Sequence, residues 1–194
     1  TVMETDSELS ENDLYVLNDD LEIQGSAQGM ADGQRVYAVR FIDDRGYVIT
    51  YRQVDPLHVI DLSDSTTPEE VGTLKIPGFS EYLHPIGDDQ LLGVGESQDG
   101  TGKVVLFDVQ DASTPQVADS LVLENTYSTA VSDSHHAFMN DAVRQNAYIP
   151  AGDSMYILNY SGETLAQEEV IPAGQSAKRT RLYNDQVVVF SETQ

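Results

Sequence analysis

The sequence has 194 residues, of which 40% are hydrophobic, so the chain is long and apolar enough to bury a core. It carries 33 acidic against 10 basic residues, and a net charge of −23 repels nucleic-acid phosphates and anionic membrane surfaces. The chain lacks cysteine, which excludes disulfides and thiol chemistry, and no apolar run is long enough for membrane insertion.

The charge balance is typical of a halophilic organism. Only three of the basic residues are lysines, and aspartate outnumbers glutamate. Such a charge repels itself and destabilises the compact state, but at molar salt the screening length falls to roughly 3 Å and the repulsion largely disappears. We therefore expect a salt-adapted acidic surface. An acidic mesophilic protein, or one that stores calcium, is the alternative.

Along the chain, one unit recurs: an apolar strand that ends in Asp or Asn, a polar turn, and a second strand. The first strands occupy residues 14–18, 57–61, 104–108 and 155–159. Their last residues, Asn18, Asp61, Asp108 and Asn159, follow one another at intervals of 43, 47 and 51 residues. These intervals match the repeat length of a β-propeller blade, which has four antiparallel strands.

The other two strands of each blade are predicted between these units. Residues 36–42 turn at Asp43-Asp44 into 47–51, and residues 82–86 turn at Asp88-Asp89 into 91–94. Two further hairpins are predicted at 135–150 and 179–190. Short runs of β-branched and aromatic residues separated by Asp, Asn and Gly indicate hairpins rather than helices, so the sequence predicts an all-β fold.

The pattern predicts a single domain over residues 1–194 with about four blades' worth of chain. A partial blade covers 1–30, complete blades cover about 31–77, 78–124 and 125–173, and a second partial blade covers 174–194. Residues 1–5 are a candidate for one further strand. The chain either closes as a four-bladed ring or belongs to a larger propeller. We favour the larger propeller, in which exposed strand edges could support self-association.

Several segments resemble a known family. The most specific are Arg-Gln-Val-Asp-Pro at 52–56 and Pro-Gly-Phe-Ser-Glu-Tyr-Leu-His-Pro at 77–85. Together with residues 14–18, 35–42 and 106–111, they resemble the secreted archaeal and bacterial proteins that contain a C-terminal β-propeller domain. The resemblance weakens at 134–138. It implies a propeller fold and an extracellular or cell-surface location within a larger protein, and it brings no activity with it.

Histidines occur at matching places in two neighbouring hairpins. His84 and His136 lie five residues before Asp89 and Asp141, and His135 is adjacent. If the first strand of each blade lines the axis, these imidazoles could bind a transition metal. The other interpretation is that each histidine bonds a backbone carbonyl or a turn carboxylate.

Arginines occupy another equivalent pair of positions. Arg40 and Arg181 lie four residues before Asp44 and Asp185, and they could hold an anion or another ligand at the mouth of the channel. Pairing with a nearby aspartate is the alternative. The doublets Asp43-Asp44 and Asp88-Asp89 are interpreted as solvated turns, because calcium requires about six to eight converging oxygens.

No P-loop, nucleophile elbow, zinc-protease or EF-hand motif is present in the sequence. We therefore predict no catalytic residue and no cofactor. The favoured function is a non-catalytic binding or scaffold module of an exported, salt-adapted protein, with a protein, peptide or glycan as partner. The alternative is a metal-dependent enzyme or redox protein that uses the channel histidines. A purely structural spacer is a third interpretation.

Overall fold

The computed structural model describes residues 12–51, 55–76 and 78–192. Within these ranges the chain forms sixteen strands, one short α-helix and one 3₁₀ turn. The strands are β1 Asn12–Leu17, β2 Ile23–Met30, β3 Arg35–Ile42, β4 Arg45–Tyr51, β5 Asp55–Asp61, β6 Glu69–Ile76, β7 Phe79–Pro85, β8 Gln90–Glu96, β9 Gly102–Asp108, β10 Gln116–Val122, β11 Met139–Asp141, β12 Asn146–Ala151, β13 Ser154–Asn159, β14 Ala166–Pro172, β15 Ser176–Tyr183 and β16 Gln186–Glu192. The helix is α1 Ala130–Asp133, and the 3₁₀ turn is His135–Ala137. The candidate strand at residues 1–5 lies outside the described residues.

The strands form five antiparallel sheets in chain order. Sheet 1 is β1–β2, sheet 2 is β3–β6, sheet 3 is β7–β10, sheet 4 is β11–β14 and sheet 5 is β15–β16. In each four-stranded sheet, strands that are consecutive in the chain are neighbours, as in a propeller blade. The predicted all-β fold with blades of four antiparallel strands is confirmed.

Asp or Asn side chains build the turn after the third strand of each four-stranded sheet. Asp61 Oδ1 accepts the backbone N–H of Ser63 at 2.8 Å. Asp64 Oδ1 accepts the N–H of Thr66 at 2.9 Å, and hydrogen bonds from Thr66 lower the pKa of this carboxyl. These are Asx turns, in which a short acidic side chain satisfies the backbone two residues further on.

The core lies between the sheets rather than within one of them. Side chains of sheets 2 and 3 meet in one cluster that includes Tyr47, Leu57 and Phe107, all fully buried. A second cluster joins sheet 3 to sheet 4 and includes Leu106 and Ile149. Because the middle sheets are covered on both faces, strands such as β8 and β9 are buried nearly continuously, whereas β1 and β16 show an alternating pattern for most of their length.

The segment before sheet 4 differs from the sequence prediction. A strand was predicted over 135–139, but α1 and the 3₁₀ turn occupy this place and β11 begins only at Met139. The physical reason is that local hydrogen bonds replace the strand ladder: the Ser134 N–H donates to the Ala130 carbonyl at 3.0 Å, and the Ala137 N–H donates to the Ser134 carbonyl at 2.9 Å. Among the described residues, no helix is long and apolar enough to cross a lipid bilayer.

Candidate functional site

Side chains from sheets 2 and 3 and from the segment before sheet 4 meet near the first strands of sheets 2 and 3. We call Arg40, Tyr82, His84, His135 and Phe138 the inner-strand cluster. Arg40 comes from β3, Tyr82 and His84 come from β7, and the last two come from the segment that leads into sheet 4. Because side chains alternate along a strand, Tyr82 and His84 lie on the same face of β7. The cluster therefore depends on the helical segment before β11 as much as on the strands.

Tyr82 is the centre of the inner-strand cluster. Its ring centroid lies 4.9 Å from that of His135 and 5.2 Å from that of Phe138. Its hydroxyl is 3.0 Å from Nδ1 of His84, whose ring lies 4.6 Å from Phe138. These centroid separations lie within the range of about 4.5–7 Å over which aromatic rings attract one another. The contacts bury Tyr82 and Phe138 but leave His135 exposed.

Arg40 joins sheet 2 to sheet 3 within this cluster. Its Nε and Nη2 atoms donate to the carbonyl of Leu83 at 2.9 and 2.7 Å. The guanidinium carbon also lies 5.3 Å from the ring centroid of Tyr82, within the range of a cation–π interaction. Among the described residues, no carboxylate forms an ion pair with Arg40. The predicted alternative, pairing with an aspartate, is therefore not observed within that part of the chain.

The surroundings of His84 favour the neutral imidazole. Burial lowers the pKa of His84 to about 4, and the positive charge of Arg40 acts in the same direction. Burial also raises the pKa of the Tyr82 hydroxyl, an effect that Arg40 opposes. At neutral pH the site therefore offers an uncharged imidazole and an uncharged phenol beside one fixed positive charge.

The predicted metal-binding histidines are only partly brought together. His84 and His135 both contact Tyr82, whereas His136 is exposed in the 3₁₀ turn and not in register with His84 on a strand. In the described ranges, no three His, Asp or Glu side chains are grouped closely enough to hold a metal ion. The positive charge of Arg40 next to His84 also opposes a cation there. Metal binding at these histidines stays a prediction.

Arg40 and Arg181 have different surroundings despite their equivalent positions. Arg181 is exposed on β15, and its Nη1 donates to the carbonyl of Thr180 at 2.9 Å. No contact between the two arginines is present in the described structure, and only Arg40 lies against an aromatic ring. Arg40 and Arg181 occupy the same position of the repeat, but Arg40 is half-buried and Arg181 is exposed to solvent.

One hydrogen-bonded chain of side chains was not predicted from the sequence. His58 Nε2 lies 3.0 Å from Thr50 Oγ1, and His58 Nδ1 lies 2.9 Å from Glu70 Oε1. Thr50 and His58 are 1% and 6% exposed, and both line a pocket of about 430 Å³ to which β1 and β3 also contribute. The Thr50 hydroxyl also bonds Oε1 of Gln34 at 2.8 Å, and the Thr73 hydroxyl donates to Glu70 at 2.6 Å. We call Thr50, His58 and Glu70 the polar relay.

The polar relay is absent from the corresponding place in sheet 3. Strand pairing aligns its three members with Gly95, Val105 and Val117. An alignment of the blades would have revealed this difference, because His58 interrupts the apolar residues 56–60 in the middle of β5. The hydrogen bonds of the relay satisfy these buried polar groups. They therefore hold the side chains of Thr50, His58 and Glu70 in one arrangement within sheet 2.

The Beta propeller domain family matches residues 1–192. An uncharacterized protein of Archaeoglobus fulgidus is 45% identical over 150 residues, which are 77% of this chain and 24% of that protein. An uncharacterized protein of Methanocaldococcus jannaschii is 36% identical over 180 residues, which are 93% of this chain and 29% of that protein. The chain thus spans about a quarter of the length of these relatives.

Similarity to solved structures supports the fold of this chain and nothing further, because the sequence identities are low. The WD40 domain of Toxoplasma gondii coronin superposes with a TM-score of 0.62 at 13% identity and covers 87% of this chain and 42% of that one. The computationally designed Ika8 protein gives a TM-score of 0.53 at 14% identity, with coverages of 86% and 45%. Sequence family and sheet architecture lead to the same conclusion: this chain belongs to the Beta propeller domain family.

Proposed function

We propose that this chain is a non-catalytic binding module of an exported, salt-adapted protein, and that the inner-strand cluster contacts a protein or peptide partner. The observation that carries the proposal is Arg40, a half-buried arginine without a carboxylate partner among the described residues of a chain with a net charge of −23. Arginine beside aromatic rings is typical of the residues that dominate protein interfaces.

The chemistry of the inner-strand cluster suits a peptide. Arg40 can donate to a carbonyl or carboxylate oxygen, as it already does to Leu83. The exposed imidazole of His135 continues the aromatic surface formed with Tyr82. Propeller and WD40 folds often mediate protein interactions, which supports a protein partner over a small substrate. Two other binding functions compete with a peptide partner. One is binding of a glycan, and the other is association of two copies of the chain through the edge strands β1 and β16.

Peptide selection tests the binding function. A random peptide library is selected on the immobilised chain in molar potassium chloride, and the affinity of an enriched peptide is compared between Arg40→Gln and Arg181→Gln. We expect Arg40→Gln to weaken binding about tenfold, because it removes a charged donor from the cluster. The matched Arg181→Gln variant should stay within about twofold of the wild type, because that side chain is solvated. An Arg40→Gln variant that binds as tightly as the wild type contradicts the proposal.

Salt adaptation has its own test. The melting temperature of the chain is compared between 0.1 M and molar potassium chloride, and we expect a gain of roughly 10 °C or more because screening weakens the repulsion between acidic side chains. An uncharged solute at matched water activity serves as the control, since it cannot screen charge. Equal melting temperatures at both salt concentrations contradict salt adaptation.

A further inference from the structure

We propose that two copies of this chain assemble by completing each other's sheets. Sheet 5 of one copy joins sheet 1 of the other, and together they form one blade, the joint sheet, with the strand order β15–β16–β1–β2. The joint sheet packs against the face of sheet 2 that is turned toward sheet 1. The peptide binding proposed above uses the other side of sheet 2, where Arg40 meets sheet 3. The assembly and the peptide binding therefore use different surfaces, and either can fail without the other.

Sheets 1 and 5 are complementary halves of a blade. Asn18, directly after β1, builds an Asx turn as Asp61 does at the end of β5, so β1 and β2 correspond to the third and fourth strands of a complete sheet. The two-residue turn at 184–185 matches the turn at 43–44, so β15 and β16 correspond to the first and second strands. In the described part of the chain, β1 and β16 belong to separate two-stranded sheets, and each has one unpaired edge.

The complete sheets predict how these two edges pair. In each of them, the first residue of the second strand is opposite the Asp or Asn that ends the third strand. These pairs are Arg45 and Asp61, Gln90 and Asp108, and Asn146 and Asn159. The same rule places Gln186, at the start of β16, opposite Asn18 of the other copy. The joint sheet then pairs residues 187–190 with residues 14–17 in antiparallel order.

Both edges are apolar in the segments that pair in the joint sheet. Residues 14–17 are Leu-Tyr-Val-Leu and residues 187–190 are Val-Val-Val-Phe, without a charged side chain. Proteins usually protect an exposed edge strand with charges, because its unpaired backbone N–H and C=O groups recruit other strands. This chain carries 33 acidic residues but places none of them in these two segments. The two edges are therefore suited to pairing with another strand.

Side-chain exposure agrees with this register. The register places Val188 opposite Val16 and Phe190 opposite Leu14, and residues directly opposite one another project from the same face of a sheet. The face of β1 that carries Val16 is turned toward sheet 2, because Gly25, opposite Val16, lies against the turn after β5. The joint sheet therefore buries Val188 and Phe190, which are 37% and 52% exposed, against sheet 2. A register shifted by one residue would turn them away from it.

Sheet 2 has an apolar surface that matches these side chains. Val39 and Phe41 on β3 are 43% and 56% exposed, and together with Val48 on β4 and Leu14 on β1 they line the pocket of about 430 Å³. Where complete sheets meet, the first strand of one packs on the first strand of the next, as β3 does on β7. Because the described residues of sheet 1 include no first or second strand, the pocket lies where these strands would pack. The β15–β16 hairpin of a second copy supplies both.

Two copies satisfy this pairing completely. Each copy contributes three complete sheets, and the exchange of both halves produces two joint sheets, so the described strands leave no half-sheet over. The resulting eight sheets fall within the typical range of about four to eight blades for a β-propeller, whereas three copies would exceed it. A single copy that closed on itself would pair β1 with β16, but the structure keeps these strands in separate sheets. A closed dimer with two-fold symmetry therefore uses every half-sheet.

Disulfide formation between two variants tests the assembly. The chain contains no cysteine, so Val16→Cys and Val188→Cys each carry a single thiol. The two variants are mixed in a glutathione redox buffer with molar potassium chloride, which screens the repulsion between acidic copies. We expect a disulfide-linked dimer in the mixture and not in either variant alone, because the two thiols meet only across a joint sheet. The matched control mixes Val16→Cys with Val143→Cys, which lies 92% exposed before β12, and should form at least about tenfold less linked dimer.

Light scattering over a range of protein concentrations measures the same association without a new thiol. In molar potassium chloride we expect twice the mass of one chain for the wild type, and a dimer at least about tenfold weaker for Val188→Lys, because a charge at the edge opposes pairing. Phe190→Lys repeats the test at a second position, and the melting temperature shows that each variant is folded. Val122→Lys replaces an exposed valine of β10 and should dimerise within about twofold of the wild type.

Three results overturn the proposal. The first is a wild type that keeps the mass of one chain at every concentration. The second is equal cross-linking in the test mixture and in the Val143→Cys control mixture. The third is a double variant, Val16→Cys/Val188→Cys, that forms its disulfide within one chain, because the chain then closes on itself. Peptide selection on the inner-strand cluster is a separate measurement, so none of these results decides it.

Discussion

The backbone of Gly72 in β6 lies directly against the carbonyl oxygen of Ala112, in the turn that follows β9 of the next sheet. Gly25 in β2 approaches the turn at Ser65 and Thr66 in the same way. A side chain at either glycine would occupy the space of this backbone, so the outer strand of one sheet and the turn of the next are in direct contact. A repeated glycine therefore sets the distance between neighbouring sheets.

Gly72→Ala should destabilise the chain strongly. The added Cβ would overlap the carbonyl oxygen of Ala112 and come within 3.0 Å of Cδ of Pro115, and neither backbone nor ring can yield easily. We expect a loss of about 2 to 3 kcal/mol in the free energy of unfolding, measured by denaturant titration in high salt. Glu69→Ala, an exposed change in the same strand, should stay within about 0.5 kcal/mol. If the two variants are equally stable, the contact is not as tight as described.

The polar relay should contribute to stability in sheet 2. Thr50→Val keeps the shape of the side chain but leaves the buried Nε2 of His58 without its hydroxyl partner. We expect a cost of about 1 to 3 kcal/mol in the free energy of unfolding. Thr164→Val removes an exposed hydroxyl and should cost no more than about 0.5 kcal/mol. A Thr50→Val protein at least as stable as the wild type would show that the relay is dispensable.

His84 should make the fold sensitive to moderately acidic pH. Its pKa is lowered to about 4 by burial and by Arg40, whereas an unfolded histidine has a pKa of about 6.5. Between these values the unfolded chain binds the proton and the folded chain does not, so stability falls as pH decreases from 6.5 to 4. With partial exposure taken into account, we expect about 1 to 2 kcal/mol of this loss to come from His84.

The measurement for His84 is the difference in unfolding free energy between pH 6.5 and pH 4 for the wild type and for His84→Gln. The variant should lose less stability over this range because the imidazole is gone. His136→Gln removes an exposed imidazole and should retain the pH dependence of the wild type. Identical pH profiles for His84→Gln and the wild type would refute this assignment.

Transition-metal content tests the interpretation that the histidines form a metal centre. We expect the chain purified in molar salt without chelator to contain less than about 0.1 equivalent of zinc, copper, iron or manganese, because two imidazoles beside an arginine form an incomplete site. Elemental analysis of the wild type is compared with His84→Ala/His136→Ala and His84→Ala/His135→Ala. Near-stoichiometric metal that is lost in either double variant would establish a metal site and reopen the case for an enzyme.

Local features of the sequence account for the part of the fold that could be predicted. The interval between Asn18, Asp61 and Asp108 predicted four-stranded blades because an Asx turn depends only on residues close in the chain. The strand predicted through His135 and His136 was wrong because a helical turn there is stabilised by local hydrogen bonds and by packing against neighbouring sheets. Periodicity does not report such packing.

The inner-strand cluster depends on contacts between sheets, which the repeat of the sequence does not encode. The equivalent positions of Arg40 and Arg181 suggested one shared role, but only Arg40 meets an aromatic ring in the next sheet. Tyr82 becomes the centre of its cluster because a segment before sheet 4 brings His135 onto it. By itself, then, the sequence determined the all-β architecture, the hairpins and the acidic turns, since these follow from short-range hydrogen bonding and alternation of apolar residues. Only the tertiary structure decided which side chains of different sheets meet, because the packing of one sheet against the next places residues that are far apart in the chain.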